Sequence, residues 1–527
     1  MVWEQDSYVI VMVTKVFDFI RVMCCQYWPG QANNRCAYHG LTVELVNEEP
    51  LANFSIRTFR LTKDGESREI YQLHYTDWPS HTVPYTSSLL EFRRRVRIYC
   101  ARNPHSGPLI VHCSDGCSRT GAYLCIDANL ELAQEDGVYD IFGYTRRLRQ
   151  SRRELLMNEV CWELVLGINS IRKKIQLKLS LRKNVNVFRV FLQEEYRFCY
   201  ECLEEARICT PTFFPVKILR EETQIKSIKN PLTGLNDYMR EYKKICKLSS
   251  KLSIGDCAGG HRPENRDKNR DVAIVPRKPS SVDGDSGQLQ TLSDIVPEQR
   301  QHGLHQRRVC GREFPLASPR APADRPCCVQ GYTRSKEYIV SEWPMHRTLA
   351  DFWSMVYDHE CNSVVVLCNP PQTNNYPGFW PTEGEKLRRY GPVFTVELMS
   401  TRCYPNIRTY IFKVSKRVVS LTELMAGVKA APRTTQLFQL TCWPVGHKVP
   451  TSTKALVELM NMVERWRQRT EYGPVVVVSM NGKGRAGVYC AANVAIEQAV
   501  QHGEVDIFQA VKTVRRHRPQ LVANLVC

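Results

Sequence analysis

No apolar run in this 527-residue chain approaches the about 18 residues that a membrane-crossing helix needs, and the stretch Tyr8 to Val13 has only the length of a strand. No signal peptide is recognisable, so any membrane anchor is expected to lie in a segment outside this sequence. Acidic residues are in deficit, 54 against 72 Lys and Arg, which leaves a net charge of +18. Such a balance suits acidic or phosphorylated partners or an anionic lipid leaflet. Much of the excess, however, sits in stretches such as Arg172-Lys173-Lys174 to Arg182-Lys183 and reads as a solvated basic face. Nothing in the pattern calls for a nucleic-acid partner, a cofactor or a metal. The 22 cysteines are scattered, as free thiols in a reducing compartment are, rather than grouped as a disulfide framework. With 43% apolar residues the chain has ample material for cores, and its length suggests two domains.

The strongest local signal is Val111-His112-Cys113-Ser114-Asp115-Gly116-Cys117-Ser118-Arg119-Thr120-Gly121, in which a cysteine and an arginine bracket five residues. Pro108 to Val111 reads as a buried strand and Gly121 to Asp127 as the opening of a helix. The loop between them therefore lies at a helix N-terminus, where unpartnered N–H groups and the helix dipole attract an anion and favour a thiolate. Arg119 adds a planar two-pronged donor suited to phosphate oxygens, and Thr120 can hydrogen-bond the sulfur.

Short β-rich runs (Tyr8 to Val13, Ser55 to Leu61, Glu69 to Tyr75, Pro108 to Val111) alternate with helical stretches (Ser87 to Ala101, Gly121 to Gln134), which predicts an α/β fold with a mixed sheet flanked by helices. The chain also repeats itself. Trp78-Pro79 stands 35 residues before Cys113, and Trp443-Pro444 stands 36 before Ser479 in Val478-Ser479-Met480-Asn481-Gly482-Lys483-Gly484-Arg485-Ala486-Gly487. Downstream, Asp140-Ile141-Phe142 and Asp506-Ile507-Phe508 each follow by 27 residues, and upstream Gln26-Tyr27-Trp28-Pro29 corresponds to Gly378-Phe379-Trp380-Pro381. A period near 365 residues means two tandem domains of one fold, not a solenoid.

The Cys113-to-Arg119 loop resembles the signature loop of the cysteine-dependent protein-tyrosine phosphatases, His-Cys-Ser-x-Gly-x-Gly-Arg-Thr-Gly. The tandem copies resemble the paired intracellular catalytic domains of the receptor-type members, nearest in flavour to an invertebrate neuronal one, over most of the chain. The resemblance implies two twisted mixed sheets with helices on both faces. It also implies hydrolysis of phosphotyrosine in proteins through a phosphocysteine at Cys113, with Arg119 as phosphate clamp, residues 114–120 as the cradle, Trp78 beside it, and no metal or cofactor. Expected partners are phosphotyrosine proteins and, within the chain, each domain for the other. The expected location is the cytoplasmic side of the plasma membrane in the full-length protein, with this chain alone soluble and cytoplasmic.

The expected boundaries are a first domain at 1–205, truncated at its N-terminus and interrupted at 161–192, a linker and domain start at 206–263, and a degenerate second domain at 264–527. The first copy lacks the upstream stretch in which the family carries a substrate-stacking tyrosine, and the second has Asp271 at that position. Residues 161–192 and 280–330 break the family pattern. Neither has a hydrophobic period able to build a core, so both read as irregular chain or a misassembled coding sequence rather than ordered regulatory loops.

Departures from the family pattern gather at the chemistry. The general-acid position in Thr76-Asp77-Trp78-Pro79-Ser80-His81 is Ser80, and loss of a general acid typically costs about 10²–10⁴ in rate. Asp77 lies on the other side of Trp78, and His81 reads as a solvated loop residue. Asp115 replaces an alanine and sets a carboxyl where a dianion must bind, which raises a thiol pKa and repels phosphate. Ser118 replaces a glycine, so a left-handed backbone there would be strained. The family's water-positioning glutamine aligns with Glu195. The Ser80 and Asp115 pair is similar to that of the secretory-granule pseudophosphatases, and a non-catalytic scaffold is the alternative reading. In the second copy Ser479, Val478 and Val445 replace the nucleophile, the histidine and the acid. Gly482, Gly484 and Arg485 remain, which keeps the turn and leaves an anion site conceivable.

Overall fold

The computed structural model describes residues 1–18, 21–31, 34–80, 82–153, 155–156, 181–209, 211–249, 268, 328–370, 373–417, 430–470 and 473–523. Within them lie two separate sheets of related topology. The first is built from β1 (Val9–Met12), β4 (Arg35–Tyr38), β5 (Leu41–Pro50), β6 (Phe54–Lys63), β7 (Glu66–Tyr75) and β8 (Ile110–His112), in the order β4-β5-β6-β7-β1-β8. A small hairpin of β2 (Phe17–Asp18) and β3 (Arg21–Val22) stands beside it. The strand runs read from the sequence all form, within one to three residues of the expected ends.

Local chemistry sets this arrangement. Asp64 and Gly65 both have positive φ (49° and 86°) between β6 and β7, the two-residue turn whose twist matches paired antiparallel strands. Register follows directly, with Lys63 opposite Glu66 and Phe54 opposite Tyr75. β1, Val-Ile-Val-Met, is buried on both faces and pairs parallel with β7 and β8, as a central strand covered by helices should.

Among the described residues, four helices complete this half: α1 (Thr86–Cys100), α2 (Ser118–Glu135), α3 (Ile141–Ser151) and α4 (Leu181–Ile208). Leu89, Phe92 and Val96 of α1, Tyr123 and Ile126 of α2, and Phe198 and Leu203 of α4 close one core with Trp78. Each large side chain so buried contributes about 1.5–3 kcal/mol. Of the stretch 161–192, only the part from Leu181 lies among the described residues, where it forms the first turns of α4; the rest, like Asp271 and nearly all of 280–330, lies outside them.

From the linker onward come β9 (Phe214–Pro215), α5 (Leu219–Ser227) and α6 (Asp237–Leu248). The second sheet follows the order β10-β11-β17-β12-β16-β15-β14-β13, with β10 at Cys328–Val329, β11 at Tyr338–Glu342, β12 at Ser363–Val366 and β13 at Leu387–Tyr390. β14 is Phe394–Cys403, β15 Ile407–Lys416, β16 Arg433–Leu440 and β17 Val475–Ser479. Its helices are α7 (Leu349–Asp358), α8 (Thr453–Arg467), α9 (Gly484–His502) and α10 (Ile507–His517), and β18 (Glu504–Val505) pairs with β9. The last six strands in that order mirror the first sheet. The difference lies beyond β17, where β11 and β10 continue the second sheet. β17 is therefore buried throughout, whereas its counterpart β8 is the edge of the first sheet and half-buried.

The halves meet through charged and polar pairs. Arg94 and Arg95 of α1 both donate to Glu504 (2.9 and 3.1 Å), Arg516 of α10 donates to Ser87 (2.9 Å), Lys512 pairs with Glu205, and the Ala52 amide donates to the Tyr332 carbonyl (3.0 Å).

Candidate active site

The loop 113–117 connects β8 to α2, and its shape comes from backbone amides and one glycine. Gly116 has φ +69°, and a Cβ there would stand 2.6 Å from the Arg152 guanidinium, which donates to the Gly116 carbonyl (2.9 Å). Cys117 is the N-cap of α2. Ser118 begins the helix and has no positive φ, so the strain expected of a serine at this position is absent; the left-handed residue of the loop is Gly116. Cys117, Ser118, Arg119 and Thr120 are buried, while Ser114 and Asp115 face solvent.

Cys113 is 5% exposed, and its thiol donates to Asp115 Oδ1 at 3.0 Å. The same oxygen accepts from the Cys117 amide at 2.9 Å. Burial raises the thiol pKa, the Asp115 charge and hydrogen bond raise it further, and Thr120 opposes. The protonated thiol is thus favoured at neutral pH, and one amide of the cradle is taken by the loop's own carboxylate.

Arg119 is buried and reaches out of the loop. Its guanidinium donates to Thr14 Oγ1 (3.2 Å) and to the Pro79 carbonyl (3.3 Å), and lies 5.9 Å from the Trp78 ring centre. Trp78 is itself 1% exposed, packed edge-on against Tyr75 and Phe198. Two residues later Ser80 is exposed, while His81 lies outside the described residues. Asp77 is half-buried and its charge reaches the Tyr75 hydroxyl. Glu195 is brought to the site by α4, where burial pushes its carboxyl up to about 7 against the pull of Ser118 and Arg119.

Several supporting residues carry no motif signal. His74 is pushed down to about 4, chiefly by burial, and is therefore neutral at pH 7. Its Nε2–H donates to the Thr14 carbonyl (2.7 Å), so Nδ1 accepts from Arg57 (3.1 Å), and the chain Arg57-His74-Thr14 anchors the backbone of the residue whose hydroxyl accepts from Arg119. On the other side Gln72 donates to the Tyr27 hydroxyl (2.8 Å), which bonds His112 Nε2 (2.7 Å). His112 belongs to the signature loop and Tyr27 lies in the repeated Gln26-to-Pro29 segment; Thr14, Gln72, His74 and Arg152 leave no trace in the sequence.

The second loop keeps the turn without the chemistry. Gly482 has φ +59°, and the Lys483 amide donates to Asn481 Oδ1 (3.1 Å), as Cys117 does to Asp115. Gly484 has no positive φ. Ser479 is 1% exposed with no hydrogen-bond partner for its hydroxyl among the described residues, next to the fully buried Val478. Arg485 donates to the carbonyls of Leu367 (3.0 Å), Trp443 (2.8 Å) and Pro444 (2.7 Å), locking the Trp-Pro segment onto the loop, and Val445 points to solvent.

The family description "Protein-tyrosine phosphatase" matches residues 1–166 and 326–526, one segment for each sheet. The chain belongs to the protein-tyrosine phosphatase family. It is 30% identical over 536 aligned residues to receptor-type tyrosine-protein phosphatase U of Gallus gallus, covering all of this chain and 32% of that protein. Receptor-type tyrosine-protein phosphatase S of Gallus gallus is 30% identical (99% of this chain, 29% of the relative), and receptor-type tyrosine-protein phosphatase F of Danio rerio 29% (99% and 23%). The chain thus spans about a third or less of these relatives. As a phosphatase fold, its first loop brings together Cys113, Arg119, Thr120, Trp78 and Glu195, with Ser80 at the rim. Among the described residues no helix is long and apolar enough to cross a membrane.

Proposed function

We propose that the first domain is a protein-tyrosine phosphatase held in a restrained state by its own loop, and that the second domain is non-catalytic and acts through contacts. The observation that carries this reading is the pair of hydrogen bonds converging on Asp115 Oδ1, from the Cys113 thiol and the Cys117 amide. In the reaction the Cys113 thiolate attacks phosphorus and the aryl oxide departs. Water then attacks the phosphocysteine, releasing phosphate and regenerating the thiolate. The aryl oxide leaves without a proton from the loop's acid position, because Ser80 has none to give near neutral pH. Arg119 would clamp the phosphate after exchanging its Thr14 and Pro79 partners for phosphate oxygens. Substrates are phosphotyrosine proteins, and in the full protein the segment lies on the cytoplasmic side of the plasma membrane, tethered through a segment outside this chain.

The same Asp115 contacts favour a second reading, a pseudophosphatase that scaffolds phosphotyrosine signalling. Turnover of an aryl phosphate with a low-pKa leaving group, compared with a phosphotyrosine peptide, separates them. Restrained catalysis gives Cys113-dependent turnover of the first and far less of the second. No Cys113-dependent turnover of either, in the native chain or in Asp115→Ala, leaves the scaffold reading.

A further inference from the structure

Three cysteines of the first core take no part in the chemistry of the loop: Cys125 on α2, and Cys199 and Cys202 on α4, each 0% exposed. A thiol so buried is ordinarily an inert small hydrophobe that holds its proton tightly. Cys202 follows that rule, and burial pushes its pKa well up. Cys125 does not. Its sulfur lies 3.7 Å from the Thr145 hydroxyl of α3 and accepts from Asn129 Nδ2 at 3.7 Å, and the Cys199 thiol donates to it from α4. Asn129 is itself fixed, with Nδ2 also donating to the Cys125 carbonyl (2.9 Å) and Oδ1 accepting from the Asp140 amide (2.7 Å). The Cys199 sulfur stands 3.9 Å from the carbonyl of Ala122, one helical turn ahead of Cys125.

Donors from three helices thus converge on one sulfur. They pull the Cys125 pKa below its ordinary value, the Cys199 thiol most of all, against the burial and the Asp140 charge that would raise it. The thiolate is the nucleophilic and oxidisable form of cysteine, so the donor set prepares Cys125 for a reaction that burial alone would suppress. The strongest of those donors is a second thiol on a neighbouring helix, which places a resolving sulfur against the first.

We propose that Cys125 and Cys199 form a site of oxidation by hydrogen peroxide, which joins them as a disulfide between α2 and α4. The Cys125 thiolate attacks one peroxide oxygen; an S–O bond forms, the O–O bond breaks, and the departing hydroxide takes a proton to become water. The Cys199 sulfur then attacks the Cys125 sulfenic acid; the S–S bond forms, the S–O bond breaks, and the second hydroxide leaves as water with the Cys199 proton. Two thiols lose two electrons and one peroxide is reduced to two waters. Both sulfurs are buried, so peroxide reaches them through local opening of the helix contact. The bond ties the helix that starts at the catalytic loop to α4 one turn beyond Glu195, and so holds that carboxyl at the loop.

The test treats the full chain with hydrogen peroxide, blocks the remaining thiols with N-ethylmaleimide and maps linked peptides by mass spectrometry. The expected product joins the Cys125 and Cys199 peptides, raises the melting temperature by a few degrees over the reduced chain and is reversed by dithiothreitol. In Cys199→Ser the same treatment leaves Cys125 as a sulfenic acid that dimedone captures, and in Cys202→Ser the link forms as in the native chain. Mapping in the native chain needs neither variant to fold, and no step depends on turnover. Three results overturn the proposal. One is no Cys125–Cys199 peptide once the exposed thiols Cys25, Cys246 and Cys403 are fully oxidised. Another is a Cys199–Cys202 link in its place. The third is a link that leaves the melting temperature unchanged, because it would then have formed only in unfolded chains.

Discussion

Removing the restraint at Asp115 tests the loop's energetics. Asp115→Ala deletes the acceptor of the Cys113 thiol and frees the Cys117 amide for a phosphate oxygen. A hydrogen bond to a charged group contributes about 1.5–3 kcal/mol. Asp115 is exposed and screened, so the lower end, about 1.5 kcal/mol, applies, which is about tenfold in rate. That gain should appear with an aryl phosphate whose leaving group needs no proton. With a phosphotyrosine peptide the departing phenolate still lacks an acid, and the larger rise requires Ser80→Asp as well, which restores a donor at a position worth about 10²–10⁴. The pH profile gives an independent readout. Because burial and Asp115 both raise the Cys113 pKa, thiolate grows as pH rises, and the acid limb of the native rate profile lies high; Asp115→Ala moves it to lower pH. A flat rate on both substrates in the double variant, together with an unmoved acid limb, would refute the account.

Hydrolysis by the full chain should vanish in Cys113→Ser and be unchanged in Ser479→Ala; residual turnover in the first that the second abolishes would contradict a silent second domain. Asp506 is pushed up from 3.8 to about 6, chiefly by burial. The folded state thus holds this proton more tightly than the unfolded, and stability from this group is lost as pH rises from about 4 to 6. Asp506→Asn, melted alongside the native chain, should gain on it by on the order of 2 to 3 kcal/mol across that window, and parallel curves would count against the buried carboxyl. Arg467 pairs with Glu337 in the second core, where both side chains are 2% exposed or less; Arg467→Met leaves that carboxylate only the longer contact to Arg334 (3.6 Å) and should cost about 3 kcal/mol in denaturant unfolding. Arg516→Ala removes the bonds to Gln330 (2.8 Å) and Ser87 (2.9 Å) and should speed proteolysis between the two halves, with digestion unchanged if that contact is idle.

What the sequence reveals here is what depends on neighbours in the chain. Asp64-Gly65 dictates its turn, the Val-Ile-Val-Met run a doubly covered strand, and the spacing from Cys113 to Arg119 a loop closed at a helix start; the repeat carries the whole topology from one copy to the other. What it hides depends on partners far along the chain. His74 sits 60 residues from Thr14 and 17 from Arg57, yet the three together aim Arg119, and no local pattern marks a histidine for that role. The serine at 118 makes the same point from the opposite side. A glycine in a motif invites the inference of a left-handed backbone, but the loop places its positive φ at Gly116 and Gly482, and the glycine at 484 begins a helix that any residue could begin. The demand at 118 is therefore one of space and polarity beside Glu195, not of backbone freedom. It follows that Ser118→Gly should leave the loop's shape intact and move the Glu195 carboxyl still further up, because the serine is one of the groups that pull it down.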